Sequence, residues 1–454
     1  SARSTSVGRP NIATGLINGG RPMRLACTTG LIASDDLGYS HYARLISQYL
    51  YVPELHHYAI RYGLIIPVAG VYWLFGVGEW TTILVPLLTS VASVPLLIAI
   101  GQKLFDLRTA LIAGLLFATF PLQLRLATML LPEAVAEFYI LVAVLVYLHG
   151  EGKHSLGLSI ASGICVGVAY LTKEPAVFVA PALMIDAAAR RQWRAVLGIT
   201  SGLAVVVAAE HVYYLALTGD LLFRPHAMVG HHETKMALAA NENLYKRLLI
   251  AYPYGMLLPN RSFGLHSVVA LAVIVPGLFL LRADRFRLLI LWALLPWLYL
   301  NFGSSSLTNY FALPVAPRYI EFVYPPLFLL TGAVVAHYLS SRKAAALLMV
   351  LIVGLVSAVG FSCGFARSAE ARRTDQVAVL RLIVKRTRGE HVRTVHFVED
   401  PEGRWKPTMA ILAPHLKSSP DPDRADIIIR SDAIGLPYVA LAVDNIDDKE
   451  QSGR

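Results

Sequence analysis

The sequence predicts an all-α polytopic membrane bundle that ends in a small C-terminal α/β soluble domain. Three observations carry that prediction. Of the 454 residues, 56% are hydrophobic and only 15% charged, whereas soluble chains carry about a quarter charged residues. The apolar residues collect in runs approaching the ~20 residues needed to cross a hydrocarbon core. The basic residues between those runs recur at every second loop, as the positive-inside rule requires.

The chain divides in order. Residues 1–34 are rich in Gly, Ser, Thr and Arg and contain no apolar core of signal-peptide type. Residues 35–80 form a first outer loop with juxtamembrane helices. Residues 81–365 form a transmembrane bundle of about ten helices. Spans are expected near 81–101, 108–124, 133–150, 155–171, 175–189, 195–217, 264–281, 287–303, 319–340 and 343–365. The loops holding Lys103 and Arg108, Lys153 and His154, Arg190, Arg191 and Arg194, Arg282, Arg285 and Arg287, and Arg342 and Lys343 then share the cytoplasmic face. Segments 125–132, 172–174, 218–263 and 304–318, and everything after about 366, lie outside. The apolar stretch 61–78 starts at Arg61 and contains Pro67 and Gly70. It is short for a span and is expected to be juxtamembrane or re-entrant, which puts Asp35 and Asp36 on the outer face.

The tail 366–454 changes character. Val392–Val398, Ala425–Arg430 and Pro437–Val443 read as strands, and Lys406–Leu416 as a short helix. This is the small extracytoplasmic α/β domain. The net charge of +10 is spread through loops between apolar runs, which fits membrane lipids as partners and not nucleic acid. Cys27, Cys165 and Cys363 show no metal or redox spacing. No phosphate-cradling or dinucleotide glycine motif is visible.

Five groups could carry chemistry. In Ser34-Asp35-Asp36-Leu37-Gly38-Tyr39, adjacent carboxylates resist joint ionisation and one could serve as a general base. The same pair would also suit a helix N-terminus. Glu133, after Pro132, fits either helix-start chemistry or an acidic group kept for function at the end of a span, and Glu137 lies one turn further on. Lys173, on the outer face against the charge bias, could bind an anion or pair with Glu174. The long outer loop carries His226, His231, His232 and Glu233; His231, His232 and Glu233 could ligate a divalent metal such as zinc, or be exposed loop residues. Arg318-Tyr319 sits at the mouth of a span, where Arg318 could grip a phosphate bidentately or anchor the interface.

Taken together, residues 34–340 resemble the membrane-embedded GT-C glycosyltransferases, and in particular the protein O-mannosyltransferase class that includes the bacterial aminoarabinose transferases of lipid A. The likeness rests on Asp35-Asp36 followed by Tyr39 and Ala43-Arg44, on Glu133 after a proline in the next outer loop, on Leu171-Thr172-Lys173-Glu174-Pro175, and on Arg318-Tyr319 ahead of Pro325-Pro326. Glu174 stands where the family carries glycine. The family also places a spanning helix ahead of the acidic pair, so that helix is expected to be missing from residues 1–34.

The resemblance implies an inverting glycosyltransferase of the cell (inner) membrane with its active site on the extracytoplasmic face. It would move a hexosyl or pentosyl group from a polyprenyl-phosphate donor to a lipid, glycan or protein acceptor. Under that reading Asp35 is the base, Asp36 its partner and Glu133 a positioning group. Lys173 and Arg318 face the donor phosphate, and Tyr39, Arg44 and Tyr319 touch substrate. Two other functions fit the composition. A transporter or flippase for a lipid-linked sugar would place its polar residues near the midplane; a polysaccharide polymerase or ligase would share the architecture.

Overall fold

The computed structural model describes residues 23–151, 155–228, 262–272, 286–304, 316–339, 343–371, 394–397, 405–421 and 424–429, with 256, 313, 377, 380 and 381 between them. The helices α1 (Asp35–Ser47) and α2 (Tyr62–Phe75) lie ahead of the first long one. At 14 residues, α2 is well under the ~20 that cross a bilayer. Its far end, with Trp73, Leu74 and Phe75, is exposed, as is Trp80 just beyond. That is the aromatic composition of a membrane–water boundary.

The bundle follows as α3 (Glu79–Leu104), α4 (Leu107–Ala118), α5 (Pro121–Leu126), α6 (Pro132–Glu151), α7 (Leu156–Thr172), α8 (Val179–Ala189), α9 (Trp193–Thr218), α10 (Arg287–Phe302), α11 (Tyr324–Leu339) and α12 (Lys343–Ala371). Five stretches among the described residues are long and apolar enough to cross a membrane: Glu79–Leu104, Pro132–Glu151, Trp193–Thr218, Pro317–Leu339 and Leu348–Ala369. α4, α7 and α10 are shorter apolar helices.

Proline explains where the expected spans change form. The run 108–124 breaks into α4 and α5 at Pro121, whose ring opens a new helix. The run from 175 starts as a 3-10 turn, Glu174–Phe178, around Pro175. Likewise Pro317–Val323 is a 3-10 turn that leads into α11 with Pro325 and Pro326 in its first turn. Of the span expected at 264–281, only its first part is described.

Close helix contact depends on missing side chains. α7 and α9 meet where a Cβ on Gly163 would strike the Ile199 carbonyl and one on Gly202 the Ile160 carbonyl. At one end of the bundle the fully buried Asp186 gathers three elements. It accepts from Tyr147 of α6 at 2.9 Å, Arg190 at 2.9 Å and Arg287 of α10 at 2.9 Å. Arg190 and Arg287 belong to the basic loops, so the end of the bundle carrying positive charge is also where its helices are tied together.

The C-terminal unit is a small parallel sheet with strand order β2-β1-β3, from Thr394–Phe397 (β1), Lys417–Ser418 (β2) and Ile427–Ile429 (β3). Helix α13 (Trp405–Leu412) lies between β1 and β2 in the chain, as a parallel pairing demands. The two-residue β2 has no hydrophobic run of its own and was not visible in the sequence. The strand expected at 437–443 lies outside the described residues. Ile411 of α13 packs with Leu31, Ala33, Leu37 and Val377, and Arg381 pairs with Glu79 at the head of α3. The α/β unit is therefore seated against the chain that enters α1.

Candidate active site

The acidic pair at the start of α1 divides its tasks. Asp36 is fully buried. Its Oδ2 accepts from the Ile32 amide at 2.7 Å and its Oδ1 from the Ser34 amide at 2.6 Å. Between those amides Ala33 is held at φ 55°, a left-handed conformation unfavourable for a residue with a Cβ. The Asp36 carboxylate clamps that turn and sets the direction in which α1 starts. Burial raises its pKa to about 6, against the pull of the backbone amides.

Asp35 points elsewhere. Its Oδ1 accepts from the Tyr58 hydroxyl at 2.7 Å and its Oδ2 from Arg318 Nη2 at 2.6 Å. Tyr58 reaches it because Gly38, one turn into α1, carries no side chain: a Cβ there would fall inside the Tyr58 ring. Tyr39 lies edge-on to the same ring, with centroids 4.8 Å apart, and is buried. Burial raises its hydroxyl pKa well above the usual value.

From Asp35 a line of alternating charge runs inward. Arg318 Nε lies 3.6 Å from Glu133 Oε1, and Lys173 Nζ donates to the same oxygen at 2.5 Å. The order is Asp35, Arg318, Glu133, Lys173. Side-chain exposure falls along it, from 21% and 29% at Asp35 and Arg318 to 1% and 4% at Glu133 and Lys173. The outer pair is open to a ligand; the inner pair is sealed. Burial lowers the Lys173 pKa and the Glu133 carboxylate opposes the shift. Tyr319 supplies the floor, its ring centroid 4.3 Å from the Lys173 ammonium and 5.4 Å from the Arg318 guanidinium carbon.

Local structure explains each position. Glu133 is in the first turn of α6, behind Pro132. Lys173 ends α7 in an extended conformation, φ −157° and ψ 124°, that turns it away from the helix. Arg318 and Tyr319 ride on the 3-10 turn before α11. Residues distant in sequence thus converge because each sits at a helix terminus on the same end of the bundle, Asp35 and Glu133 at N-termini and Lys173 at a C-terminus.

A second cluster adjoins Lys173. Glu174 pairs with Arg61 at 3.2 Å and with Arg224 at 2.7 Å, and Arg224 also pairs with Glu210 of α9 at 2.7 Å. Arg61 donates to the Thr172 carbonyl at 3.2 Å. Burial would raise the Glu174 pKa, but the two guanidinium groups hold it below the usual glutamate value. Glu174 is therefore the centre of a two-arginine clasp. Glu210 also lines a groove of about 570 Å³ between the end of α1, the start of α2 and α9, whose walls include Tyr49, Tyr51, Tyr62 and Tyr213 among aliphatic side chains.

Of the sequence-predicted residues, Asp35, Glu133, Lys173, Arg318, Tyr319 and Tyr39 are brought together. Asp36 is adjacent, but both of its oxygens are occupied by backbone amides. Lys173, expected to face a phosphate, is enclosed against Glu133. Arg44 is in the last turn of α1, over two turns from Asp35, and no ion pair among the described residues includes it. His231, His232 and Glu233 lie outside the described residues, and among those described no group of three or more His, Cys, Asp or Glu side chains could hold a metal. Tyr58, Arg61 and Arg224 were not singled out by sequence reasoning. Arg61 had one signal, as the charge that opens an apolar stretch. Arg224 lies in a long loop with no pattern around it.

A bundle of this design, with short helices ahead of the first long span and charged residues converging at one end, has the GT-C fold of membrane glycosyltransferases. Residues 67–218 match the family described as dolichyl-phosphate-mannose-protein mannosyltransferase. The chain is similar in structure to ArnT from Cupriavidus metallidurans in the apo state, with a TM-score of 0.60 and 16% identity over 90% of this chain and 86% of that one. The same values hold for ArnT bound to undecaprenyl phosphate, except that 84% of that chain is covered. It is also similar to the archaeal oligosaccharyltransferase AglB from Archaeoglobus fulgidus in complex with an inhibitory peptide and a dolichol-phosphate. There the TM-score is 0.54 at 11% identity, over 91% of this chain and 65% of that one. Among curated proteins none matches the chain. At these identities the likeness establishes the fold.

Proposed function

We propose that this chain is an inverting glycosyltransferase that moves a sugar from a polyprenyl-phosphate carrier to an acceptor on the extracytoplasmic face. The single observation that carries the reading is the Asp35–Arg318 pair, the exposed end of an otherwise sealed ion-pair line. A carboxylate and a guanidinium side by side at an open site suit the two demands of the reaction: taking a proton from the acceptor and neutralising a departing phosphate. The carriers bound to ArnT and AglB, undecaprenyl phosphate and dolichol-phosphate, support the donor class. The tyrosine-lined groove fits an isoprenoid chain that enters from the bilayer.

In this mechanism Arg318 exchanges Asp35 for the donor phosphate when the carrier arrives. That exchange frees Asp35 to accept the acceptor's proton, with the Tyr58 hydroxyl still holding the other oxygen. The acceptor oxygen attacks C1 of the sugar from the face opposite the phosphate, the C1–O bond to phosphate breaks, and configuration inverts. Glu133 and Lys173 act behind Arg318. The buried pair fixes the guanidinium from its far side and keeps it within reach of both Asp35 and the phosphate. Asp36 holds the turn that aims Asp35.

Purified chain in vesicles, supplied with a radiolabelled polyprenyl-phosphate sugar and a mixture of envelope lipids and peptides, tests the reading. Label appearing on a product other than the carrier supports transfer. Label that crosses the bilayer still attached to its carrier would identify a flippase and reject the transferase.

A further inference from the structure

Two buried glutamates stand beside the ion-pair line without belonging to it. Glu137 lies one helical turn beyond Glu133 on α6, and Glu321 three residues beyond Arg318 on the 3-10 turn. Both are wholly buried. Gln123 donates to Glu321 Oε1 at 2.6 Å. The same Gln123 accepts from Ser90 at 3.0 Å, and Ser90 from Arg24 at 2.7 Å. Beyond that chain, both oxygens of Glu137, Oε2 of Glu321 and Oε2 of Glu133 have no hydrogen-bond partner among the described residues. Four orphaned carboxylate oxygens in a dry interior require an explanation.

Ion pairing supplies one. Among the described residues Arg318 is paired with Asp35 and Glu133, and Lys173 with Glu133, whereas neither Glu137 nor Glu321 belongs to an ion pair. Two ionised carboxylates buried side by side without a salt bridge are costly. The Glu137 and Glu321 carboxyls are neighbours able to hydrogen-bond to each other. Acceptor facing acceptor is repulsive; with one hydrogen between them the contact becomes a bond. We propose that Glu137 and Glu321 share a single proton, which removes one of the two buried charges and leaves Glu133 ionised for Lys173 and Arg318.

The consequence for chemistry is indirect, so the two are positioning residues. Loss of the shared proton puts a second negative charge one turn from Glu133. Lys173 and Arg318 would then be drawn toward the added charge, and the guanidinium would leave its place between Asp35 and Glu133. Gln123, with its amide on Glu321, fixes which oxygen of the pair remains an acceptor.

Infrared spectroscopy of the whole chain in nanodiscs, in H2O and D2O at mildly alkaline pH, reads the proton directly. A neutral carboxylic acid carbonyl band that shifts in D2O is expected in the wild type. It should vanish in both Glu137→Gln and Glu321→Gln, where the side-chain amide takes over the donor's place and the remaining carboxyl ionises. If one variant fails to fold, the other and the wild-type spectrum still decide. The absence of the band in the wild type, or its persistence in the glutamine variants, overturns the proposal. So does a band that appears only when Na⁺ and Mg²⁺ are withdrawn, because a metal cation would then balance the buried charges.

The kinetic arm rests on the transferase reading. In Glu137→Gln the alkaline fall in transfer that loss of the shared proton causes should disappear, since no proton remains to be lost; an unchanged limb counts against the positioning role. Absence of transfer in every protein would reject the transferase while leaving the infrared result intact.

Discussion

Asp35 and Asp36 are neighbours in sequence with opposite surroundings. Asp36 is consumed by two amides across a strained alanine, and Asp35 is presented to a tyrosine and an arginine. The structural role thus falls to Asp36, and the proposed catalytic role is argued for Asp35 alone. Gly38 makes the arrangement possible, and it yields the first prediction. In Gly38→Ala the new methyl drives Tyr58 from its place and Asp35 loses its second anchor. Transfer should fall by about 10²-fold, the scale associated with ångström-sized misplacement, while the protein still purifies as a folded monodisperse species. Unchanged turnover would mean that Tyr58 does not hold Asp35 during reaction.

Sequence alone disclosed Asp35, Glu133, Lys173 and Arg318, because a charge at the edge of an apolar run is conspicuous wherever it lies. It could not show that Lys173 is spent on Glu133, since forty residues and two helices separate them. Nor could it disclose Tyr58 or Arg224, which sit in segments without periodicity and gain meaning only from long-range contact. Glu321, three residues past Arg318, carries no sequence signal of its own; its burial depends on how the 3-10 turn packs against α5 and α6.

At the scale of elements, the ends of α7, α2 and α9 are joined through Glu174. Its clasp on Arg61 and Arg224 ties the juxtamembrane helix to the bundle beside the site. Breaking a largely buried pair leaves its cations uncompensated, so Glu174→Gln should lower stability by about 2–4 kcal/mol at neutral pH. The pH dependence follows from the sign of the shift. The Glu174 pKa is depressed in the folded protein, so its contribution is complete above the unfolded value near 4.5. It is lost as pH falls through the lower folded value. Thermal melts in detergent should therefore show wild type and Glu174→Gln converging only below about pH 4.5. Equal stability at neutral pH would show that the clasp does not secure α2.

The helices themselves were largely legible, since apolar length is a strong signal. Their interruptions at Pro121, Pro175 and Pro317 were not placed in advance, although proline marks each one. β2 was invisible because two residues leave no alternation to read.

For the whole molecule, the proposed function needs one sidedness, which the alternation of basic loops in the sequence favours: the Asp186 cluster toward the cytoplasm, and Asp35, Arg318 and the α/β unit outward. Cysteine substitutions at exposed positions test this. Lys417→Cys in β2 should react with a membrane-impermeant maleimide in intact cells, and Lys103→Cys should react only after the membrane is opened. The reverse pattern would put the site on the cytoplasmic side and remove the extracytoplasmic acceptor from the account.

The central claim is that Asp35 removes the acceptor's proton. The most direct test is the rate of sugar transfer from a polyprenyl-phosphate donor by Asp35→Asn, compared with wild type at matched fold and melting temperature. The amide keeps the shape but cannot take the proton, so the rate should fall by about 10²–10⁴-fold. Transfer within a few-fold of wild type would contradict the assignment and move the search for the base to another residue of the same site.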